Sequence, residues 1–146
     1  LIKASLRLRP DRIIVGEVRG EETLDMIQAM STGHDGSLST GHGNSPEDMM
    51  ARLETMVLMG MDMPVSAVRQ QIASAIDIIV HLGRLRDKSR RVLKIVEITG
   101  IENGEIAFNT LYEFKETGEE GGKVRGGLVR VAENLKNTEK MQRAGY

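Results

Sequence analysis

The feature that most constrains the fold is a short β-branched run that ends in a glycine and a glutamate. Residues Arg12 to Val15 hold two isoleucines and a valine, and Gly16 and Glu17 follow directly. An uninterrupted apolar run of this length, bounded by turn residues, is typical of a parallel strand buried on both faces. In open α/β sheets, ligands bind beyond the carboxyl ends of the strands, so Glu17 is a candidate ligand-facing carboxylate. The alternative is a solvated acid at a strand end.

Amphipathic helices surround this strand in the sequence. Glu21, Glu22 and Asp25 stand in the first turn of a predicted helix that Gly33 ends, since acidic side chains are favourable near the positive end of the helix dipole. The other elements predicted in this part are a short amphipathic helix over residues 1–8, a short strand over 37–40, a helix from Pro46 to Gly60 and a helix that begins after Pro64. This order of strands and helices predicts an α/β fold with parallel strands.

From Asp77 onward the apolar period changes from that of a helix to the alternation of a strand. Three strands are predicted, over residues 78–85, 90–99 and 105–115, and the turns at 87–89 and 103–104 favour an antiparallel three-stranded meander. The glycine-rich segment 117–127 is predicted to be a linker, and the polar tail 128–146 either docks or is disordered. The predicted organisation is therefore a domain over residues 1–116, a linker over 117–127 and a tail over 128–146.

Composition excludes several classes of protein. The 146 residues carry 20 basic and 21 acidic side chains, a formal charge of −1, whereas a nucleic-acid binder normally has a basic excess. Cysteine is absent, which excludes a disulfide scaffold, a thiolate metal site and a cysteine nucleophile. No apolar stretch approaches the roughly 20 residues of a membrane-spanning helix. The chain begins at Leu1 without a leader sequence, so we expect it to be a piece of a longer protein.

A second candidate site is the polar loop over residues 31–45, which holds His34, His42 and Asn44. Imidazole and amide groups on a flexible loop can donate hydrogen bonds to a terminal phosphate and move when that phosphate leaves. Near such a phosphate, Glu17 can orient an attacking water while Arg19 neutralises developing charge. Two alternatives stay open: histidines that simply face water, and metal binding, although no third ligand stands at a suitable spacing.

A cationic cluster around the first predicted hairpin turn is a third candidate. It includes Arg84 and Arg86, together with the basic residues at 88, 90 and 91. Most clusters of this kind are solvated turns. The sharper interpretation is that Arg84 and Arg86 contact a phosphate or a neighbouring subunit.

The phosphate-binding pattern G-x-x-x-x-G-K-[ST] is absent from the sequence. The nearest approach is Gly122-Lys123, where Thr117 stands at the first glycine position and Val124 at the hydroxyl position. A nucleotide-hydrolysing site that used these residues would take its phosphate cradle from outside them.

Taken together, these segments resemble the type II/type IV secretion and pilus ATPase superfamily, and most closely the ATPases of Tad (Flp) pilus assembly. The likeness extends over about residues 1 to 115, and the tail is similar more loosely. The segments that carry it are LRLRPDRIIVGEVRG at 6–20, TGHDGSLSTGHGNSP at 32–46, RLETMVLMGMDMP at 52–64 and RQQIASAIDIIVHLGRLRD at 69–87.

The resemblance implies that residues 1–116 form the C-terminal half of a RecA-like P-loop NTPase domain. Ile13 to Glu17 would be its Walker B strand, with Glu17 as the catalytic glutamate. Arg19 and the histidine-box residues His34, His42 and Asn44 would sense the nucleotide phosphate.

The resemblance also implies a whole protein that uses ATP and Mg²⁺ and forms a homo-oligomer, a hexameric ring. That protein would be cytoplasmic, at the inner face of the cell membrane, where it would work with pilus or secretion platform proteins and not with nucleic acid. The chain alone would be inactive, because it lacks the phosphate cradle. The alternatives are a conjugative type IV secretion ATPase and a non-hydrolysing assembly module.

Overall fold

A computed structural model describes residues 2–146 and divides the chain into two compact units. The first unit is Leu1–Ile76 with Gly100–Ile106, and the second is Asp77–Thr99 with Ala107–Tyr146. The chain therefore passes from one unit to the other after Ile76, inside the segment that the sequence predicts as one domain. Among the described residues, no helix combines the length and the apolarity that crossing a bilayer requires.

The first unit combines four helices with a parallel pair of short strands, so the predicted mixed α/β class is confirmed. Strands β1 and β2 pair in parallel, with Ile14 opposite Leu38 and Val15 opposite Ser39. The elements are α1 (Ile2–Leu6), β1 (Ile14–Val15), α2 (Glu22–Met30), β2 (Leu38–Ser39), α3 (Pro46–Gly60) and α4 (Val65–Ala75).

The expectation that β1 is buried on both faces is wrong. Ile13 is 7% exposed, but Ile14 and its partner Leu38 are 74% and 62% exposed. Within the described residues the parallel sheet has only two strands, and the side chains of Ile14 and Leu38 on one of its faces are largely uncovered.

The core of the first unit lies among α2, α3 and α4, whose apolar stripes face one another. Ile27 is 1% exposed, and Val68 and Ile72 are fully buried. The hydroxyl of Thr23 is buried there against the sulfur of Met56, 3.6 Å away. As predicted, Pro46 opens α3, and the side chain of Ser45 caps the helix by accepting the backbone N–H of Asp48 at 3.1 Å. This cap fixes the point at which the polar loop enters α3.

The second unit is built on a four-stranded antiparallel sheet, in which the strands follow one another in sequence order. Its strands are β3 (Ile78–Arg84), β4 (Arg90–Glu102), β5 (Glu105–Glu120) and β6 (Lys123–Arg130), except that the tip of the β4–β5 hairpin, Gly100–Ile106, belongs to the first unit. Asn103 and Gly104, the predicted turn, join β4 to β5 with φ values of 52° and 82°. Positive φ at both central residues is the conformation that a tight hairpin turn requires.

The predicted linker and the three-stranded meander are wrong, because the glycine-rich segment forms a third hairpin, between β5 and β6. Strand β5 continues to Glu120, and Gly121 and Gly122 turn the chain with φ values of 56° and 70°. The ladder shifts register between Glu116 and Gly118. The glycines therefore serve a turn and a bulge within the sheet, which gives the meander its fourth strand.

A buried carboxylate holds the tail on the second unit. Glu97 is 2% exposed and accepts the backbone N–H groups of Lys136 at 3.0 Å and Asn137 at 2.7 Å. The side-chain amide of Asn109 donates to the same carboxylate at 2.8 Å. Burial raises the pKa of Glu97, but these hydrogen bonds outweigh it and leave the pKa lowered. Beyond this anchor the tail ends in the short helix α5 (Glu139–Arg143), so the part at 134–143 is docked rather than disordered.

Candidate functional site

The loops that follow β1 and β2 are joined by two hydrogen bonds, one on each side of Glu17. The hydroxyl of Thr40 donates to the carbonyl of Gly16 at 2.5 Å, and the carbonyl of Thr40 accepts the N–H of Val18 at 3.2 Å. Val18 is 4% exposed, so it anchors the far side of the glutamate. The backbone of Glu17 is thereby fixed at the carboxyl end of the parallel strands.

The side chain of Glu17 lies between a guanidinium group and an imidazole ring. Its Oε2 is 2.6 Å from Nη2 of Arg19, and its Oε1 is 2.9 Å from Nε2 of His42. The side chain of Glu17 is 26% exposed, whereas those of Arg19 and His42 are 76% and 78% exposed. The structure therefore brings together a shielded carboxylate and two exposed donors from different loops.

The two oxygens of this carboxylate differ in their surroundings. The hydrogen bond from Arg19 is the largest influence on the group and lowers the pKa of Glu17, with a smaller contribution from His42. Oε1 lies at ion-pair distance from His42 but is shielded from solvent, and no described residue makes a hydrogen bond of good geometry to it. Glu17 is therefore an ionised carboxylate with one oxygen that has spare capacity to accept a hydrogen bond.

Glu22 holds the loop that carries Arg19. Its Oε1 accepts the backbone N–H of Arg19 at 2.7 Å and that of Gly20 at 3.2 Å. The bond from Arg19 is the largest cause of the lowered pKa of Glu22. The sequence predicts Glu22 only as an acid near the helix dipole, so its part in shaping the loop is an addition from the structure.

Two of the predicted site residues, His34 and Asn44, are not drawn into this cluster. His34 precedes β2, whereas His42 follows it, and the Nδ1 atom of His34 lies 3.4 Å from the hydroxyl of Thr32. Asn44 is exposed, and its side chain forms no hydrogen bond within residues 2–146. The histidine box thus contributes one imidazole, that of His42, to the neighbourhood of Glu17.

Arg84 and Arg86 lie in the second unit, where each has a partner. Arg86 binds the carboxylate of Glu116 through Nη1 at 2.5 Å and Nη2 at 2.6 Å, and Nη2 is 3.0 Å from Glu119. Nε of Arg84 donates to the carbonyl of Lys88 at 3.2 Å. Both arginines therefore stabilise hairpins of the sheet.

The sequence does not single out two further residues with organising contacts, Thr40 and Arg69. Arg69 donates to Glu54 at 2.9 Å, to the carbonyl of Gly104 at 2.7 Å and to Glu105 at 2.6 Å. The sequence could have indicated Arg69, because a basic residue that stands beside the apolar stripe of α4 lies close to the packed face of the helix. The contact of Thr40 depends on how two loops meet, for which the sequence carries no pattern.

Metal binding finds no support in the described part of the chain. Residues 2–146 contain no group of three or more histidine, aspartate or glutamate side chains that could hold a metal ion. The chemistry of the Glu17 cluster, with one shielded acceptor oxygen, one exposed guanidinium and one exposed imidazole, instead suits a water molecule beside an anion.

Comparison with known proteins identifies the class to which this fold and site belong. The sequence pattern of the family described as type II/IV secretion system protein matches residues 1–145. The chain therefore belongs to the type II/IV secretion system protein family.

Individual relatives are proteins of conjugation and type IV secretion. A putative conjugal transfer protein of Mycobacterium tuberculosis is 41% identical over 103 residues, which are 70% of this chain and 29% of that protein. The probable conjugal transfer protein TrbB of Sinorhizobium fredii is 37% identical over 118 residues, 80% of this chain and 35% of that protein. The chain thus spans about a third of the length of the curated relatives it matches.

A solved structure agrees with the sequence relatives. The VirB11 ATPase from the Brucella suis type IV secretion system, crystallised in complex with sulphate, is 31% identical and matches with a TM-score of 0.62. The match covers 66% of this chain and 30% of that one. The resemblance to secretion ATPases is confirmed at the level of the family and the fold, while a particular closeness to the Tad type stays a prediction.

Proposed function

We propose that this chain forms the C-terminal portion of a motor ATPase of a secretion or conjugation machine, with Glu17 as the residue that orients the hydrolytic water. The observation that carries the proposal is the cluster in which Glu17 meets Arg19 at 2.6 Å and His42 at 2.9 Å, beyond the carboxyl ends of two parallel strands. Membership of the secretion family supports it.

The state of Glu17 suits the positioning of water. Its lowered pKa keeps the carboxylate ionised at neutral pH, and an ionised carboxylate only accepts hydrogen bonds. Oε1, the oxygen that can accept a further hydrogen bond, is the one that lies 2.9 Å from Nε2 of His42. Glu17 would hold a water at Oε1 and accept a proton from it as its oxygen attacks a phosphorus atom.

Arg19 and His42 supply groups for the anion. Both side chains are largely exposed, so each can leave Glu17 for a phosphate oxygen without losing buried contacts. Arg19 would offer a planar fork of donors, and His42 would offer Nε2–H. His34, ahead of β2, and Asn44, after it, would then join from either side of that strand.

The nucleotide and its metal need more than these residues provide. Bound Mg²⁺ would screen the charge of the phosphates, but the pattern that cradles phosphates is absent from residues 1–146. The exposed apolar pair Ile14 and Leu38 supports a RecA-like arrangement, in which further strands would extend the sheet and their crossover helices would cover this face. In the proposal, the cradle and these strands belong to the longer protein.

At the level of the assembly, the proposed protein is a hexameric ring at the cytoplasmic face of the inner membrane. It would act there with membrane platform proteins, and ATP hydrolysis would drive relative motion of its domains. Arg84 and Arg86 remain candidates for contacts between subunits, through their exposed surfaces.

The named relatives favour conjugation or type IV secretion as the process. They include TrbB of Sinorhizobium fredii and the type IV secretion system protein PtlH of Bordetella pertussis, which is 36% identical over 101 residues, 67% of this chain and 30% of that protein. Pilus assembly of the Tad type is the second candidate, because the methionine-rich segment at 52–64 resembles that group. The same proposed ATP hydrolysis would drive the export of protein in the first case and the assembly of pilin in the second.

Replacement of Glu17 by glutamine in the full-length protein tests the proposal. Glu17→Gln removes the ionised acceptor and keeps the shape, so we expect ATP hydrolysis to fall by about 100-fold or more, with retained binding of a fluorescent ATP analogue. Phosphate release measures the first effect and a fluorescence titration the second.

The matched control is Glu21→Gln, four residues further along the chain. Glu21 is exposed, and its side chain makes no capping hydrogen bond to α2, so hydrolysis should stay within about twofold of the unmodified protein. Unchanged turnover in Glu17→Gln would remove Glu17 from the reaction. A full-length protein that binds ATP without hydrolysing it would favour the non-hydrolysing assembly module.

A further inference from the structure

We infer that Thr40 is a positioning residue that sets the carboxylate of Glu17 against the imidazole of His42; the inference rests on the proposed hydrolytic role of Glu17. Thr40 stands immediately after β2 and two residues before His42. Its hydrogen bonds connect the loop after β2 to the loop after β1.

This connection consists of two hydrogen bonds, to the residues directly before and directly after Glu17. The Thr40 hydroxyl donates to the carbonyl of Gly16, the residue before Glu17, at 2.5 Å. The Thr40 carbonyl accepts from Val18, the residue after Glu17, at 3.2 Å. One residue thus holds the peptide groups on both sides of the glutamate, and it belongs to the loop that supplies His42.

The hydroxyl bond restrains the backbone at Gly16, where no side-chain packing does so. A Cβ built on Gly16 meets no atom within 4 Å, so side-chain packing does not fix the backbone at this position. On the other side, Val18 is buried and its backbone bond to Thr40 needs no side chain. Loss of the hydroxyl would therefore free the Gly16 side of Glu17 and leave the Val18 side in place.

The consequence for the proposed reaction is a matter of geometry. Glu17 and His42 must reach one water and one phosphate, and displacements of about 1 Å in such groups lower rates by up to about 100-fold. Because Thr40 is exposed, its hydroxyl bond contributes little to the stability of the fold. A positioning role and a structural role therefore predict different results.

Replacement of Thr40 by valine in the full-length protein tests the inference. Thr40→Val keeps the branched shape and removes the donor, so we expect kcat for ATP hydrolysis to fall about 10-fold, with KM within about twofold. Thr40→Ser restores the hydroxyl and should return kcat to within about threefold of the unmodified protein. Circular dichroism and the thermal midpoint establish that each variant is folded.

Thr55→Val is the matched control, because the hydroxyl of Thr55 also donates to a backbone carbonyl, that of Ala51 at 3.0 Å, on an exposed face of α3. It should leave kcat unchanged. Wild-type kcat in Thr40→Val, or a kcat in Thr40→Ser as low as in Thr40→Val, would overturn the positioning role while Glu17→Gln still reported on the proposed function. Absence of hydrolysis in the unmodified protein would instead overturn the proposed function, and the inference with it.

Discussion

At the scale of single residues, the cluster is defined by how Glu17 shares its two oxygens. Arg19 takes Oε2 in a close ion pair, while His42 stands beside the shielded Oε1. Arg19 therefore has two proposed tasks: it keeps the carboxylate ionised, and it offers charge to a phosphate. These tasks can be separated, because only the first of them moves a pKa.

The pH dependence of hydrolysis isolates the first task. A carboxylate that orients water is inactive when protonated, so the rate falls as the pH drops through the pKa of Glu17. Arg19 is the largest cause that lowers this pKa. In the full-length protein with Arg19→Gln, the pKa rises, and the acidic limb of the kcat profile should move to higher pH. The measurement is kcat for phosphate release between about pH 4 and 9.

Arg7→Gln serves as the control for this shift, because Arg7 is an exposed arginine ahead of β1. Its acidic limb should coincide with that of the unmodified protein. A limb that stays in place in Arg19→Gln, with only the plateau lowered, would mean that Arg19 acts on the phosphate alone.

At the scale of elements, the prediction from sequence fails at the glycine-rich segment, where glycines are required by their positions in a hairpin and not by flexibility. Glycine-rich composition indicates a linker when nothing else is known. In the structure, Gly121 and Gly122 have positive φ, and a Cβ on Gly126 would collide with the carbonyl of Lys115 on the neighbouring strand. Such requirements follow from strand pairing over a distance, so composition alone cannot separate this hairpin from a flexible segment.

Composition also could not decide whether the tail over residues 128–146 docks or is disordered. Its anchor, Glu97, lies in a strand pattern where a charged residue is expected to face water, yet it is 2% exposed. The backbone groups that satisfy it come from residues 136 and 137, about forty positions away in sequence. Only the folded chain brings them together.

Exchange of Glu97 by glutamine should release this part of the tail. Glu97→Gln replaces an acceptor oxygen with an NH₂ group that faces the N–H donors of Lys136 and Asn137. Hydrogen bonds to a charged group contribute about 1.5–3 kcal/mol each, so amide exchange at these two residues should accelerate by about 10-fold or more. Hydrogen exchange resolved by residue is the measurement.

The exposed Glu133 provides the control, since Glu133→Gln makes the same change of charge three residues before Lys136 in the sequence. Exchange at residues 136 and 137 should then be unaltered. If Glu97→Gln also left their exchange unaltered, the carboxylate would not be what holds the tail.

At the scale of the whole molecule, the sequence predicts the meeting of Glu17 and His42 better than it predicts the elements around them. The carboxyl ends of adjacent parallel strands lie at one edge of a sheet, so the loops after β1 and β2 must be neighbours. This rule needs no side-chain detail. It cannot tell that His34, which precedes β2, lies apart from the cluster, or that Thr40 joins the two loops.

Residues 1–146 contain Glu17 and His42 but not the phosphate-binding pattern, and this leads to a prediction for the 146-residue chain alone. They contain the carboxylate proposed to orient water and the imidazole proposed to bind a phosphate oxygen, but no G-x-x-x-x-G-K-[ST] pattern to cradle the phosphates. Positioning of water accelerates hydrolysis only where the phosphates are held in place, because both reactants must be fixed. We therefore expect the 146-residue chain to release no phosphate from ATP above the rate of its own Glu17→Gln variant, while the full-length protein does so. Hydrolysis by the short chain that Glu17→Gln abolishes would mean that these residues build a phosphate site of a different kind.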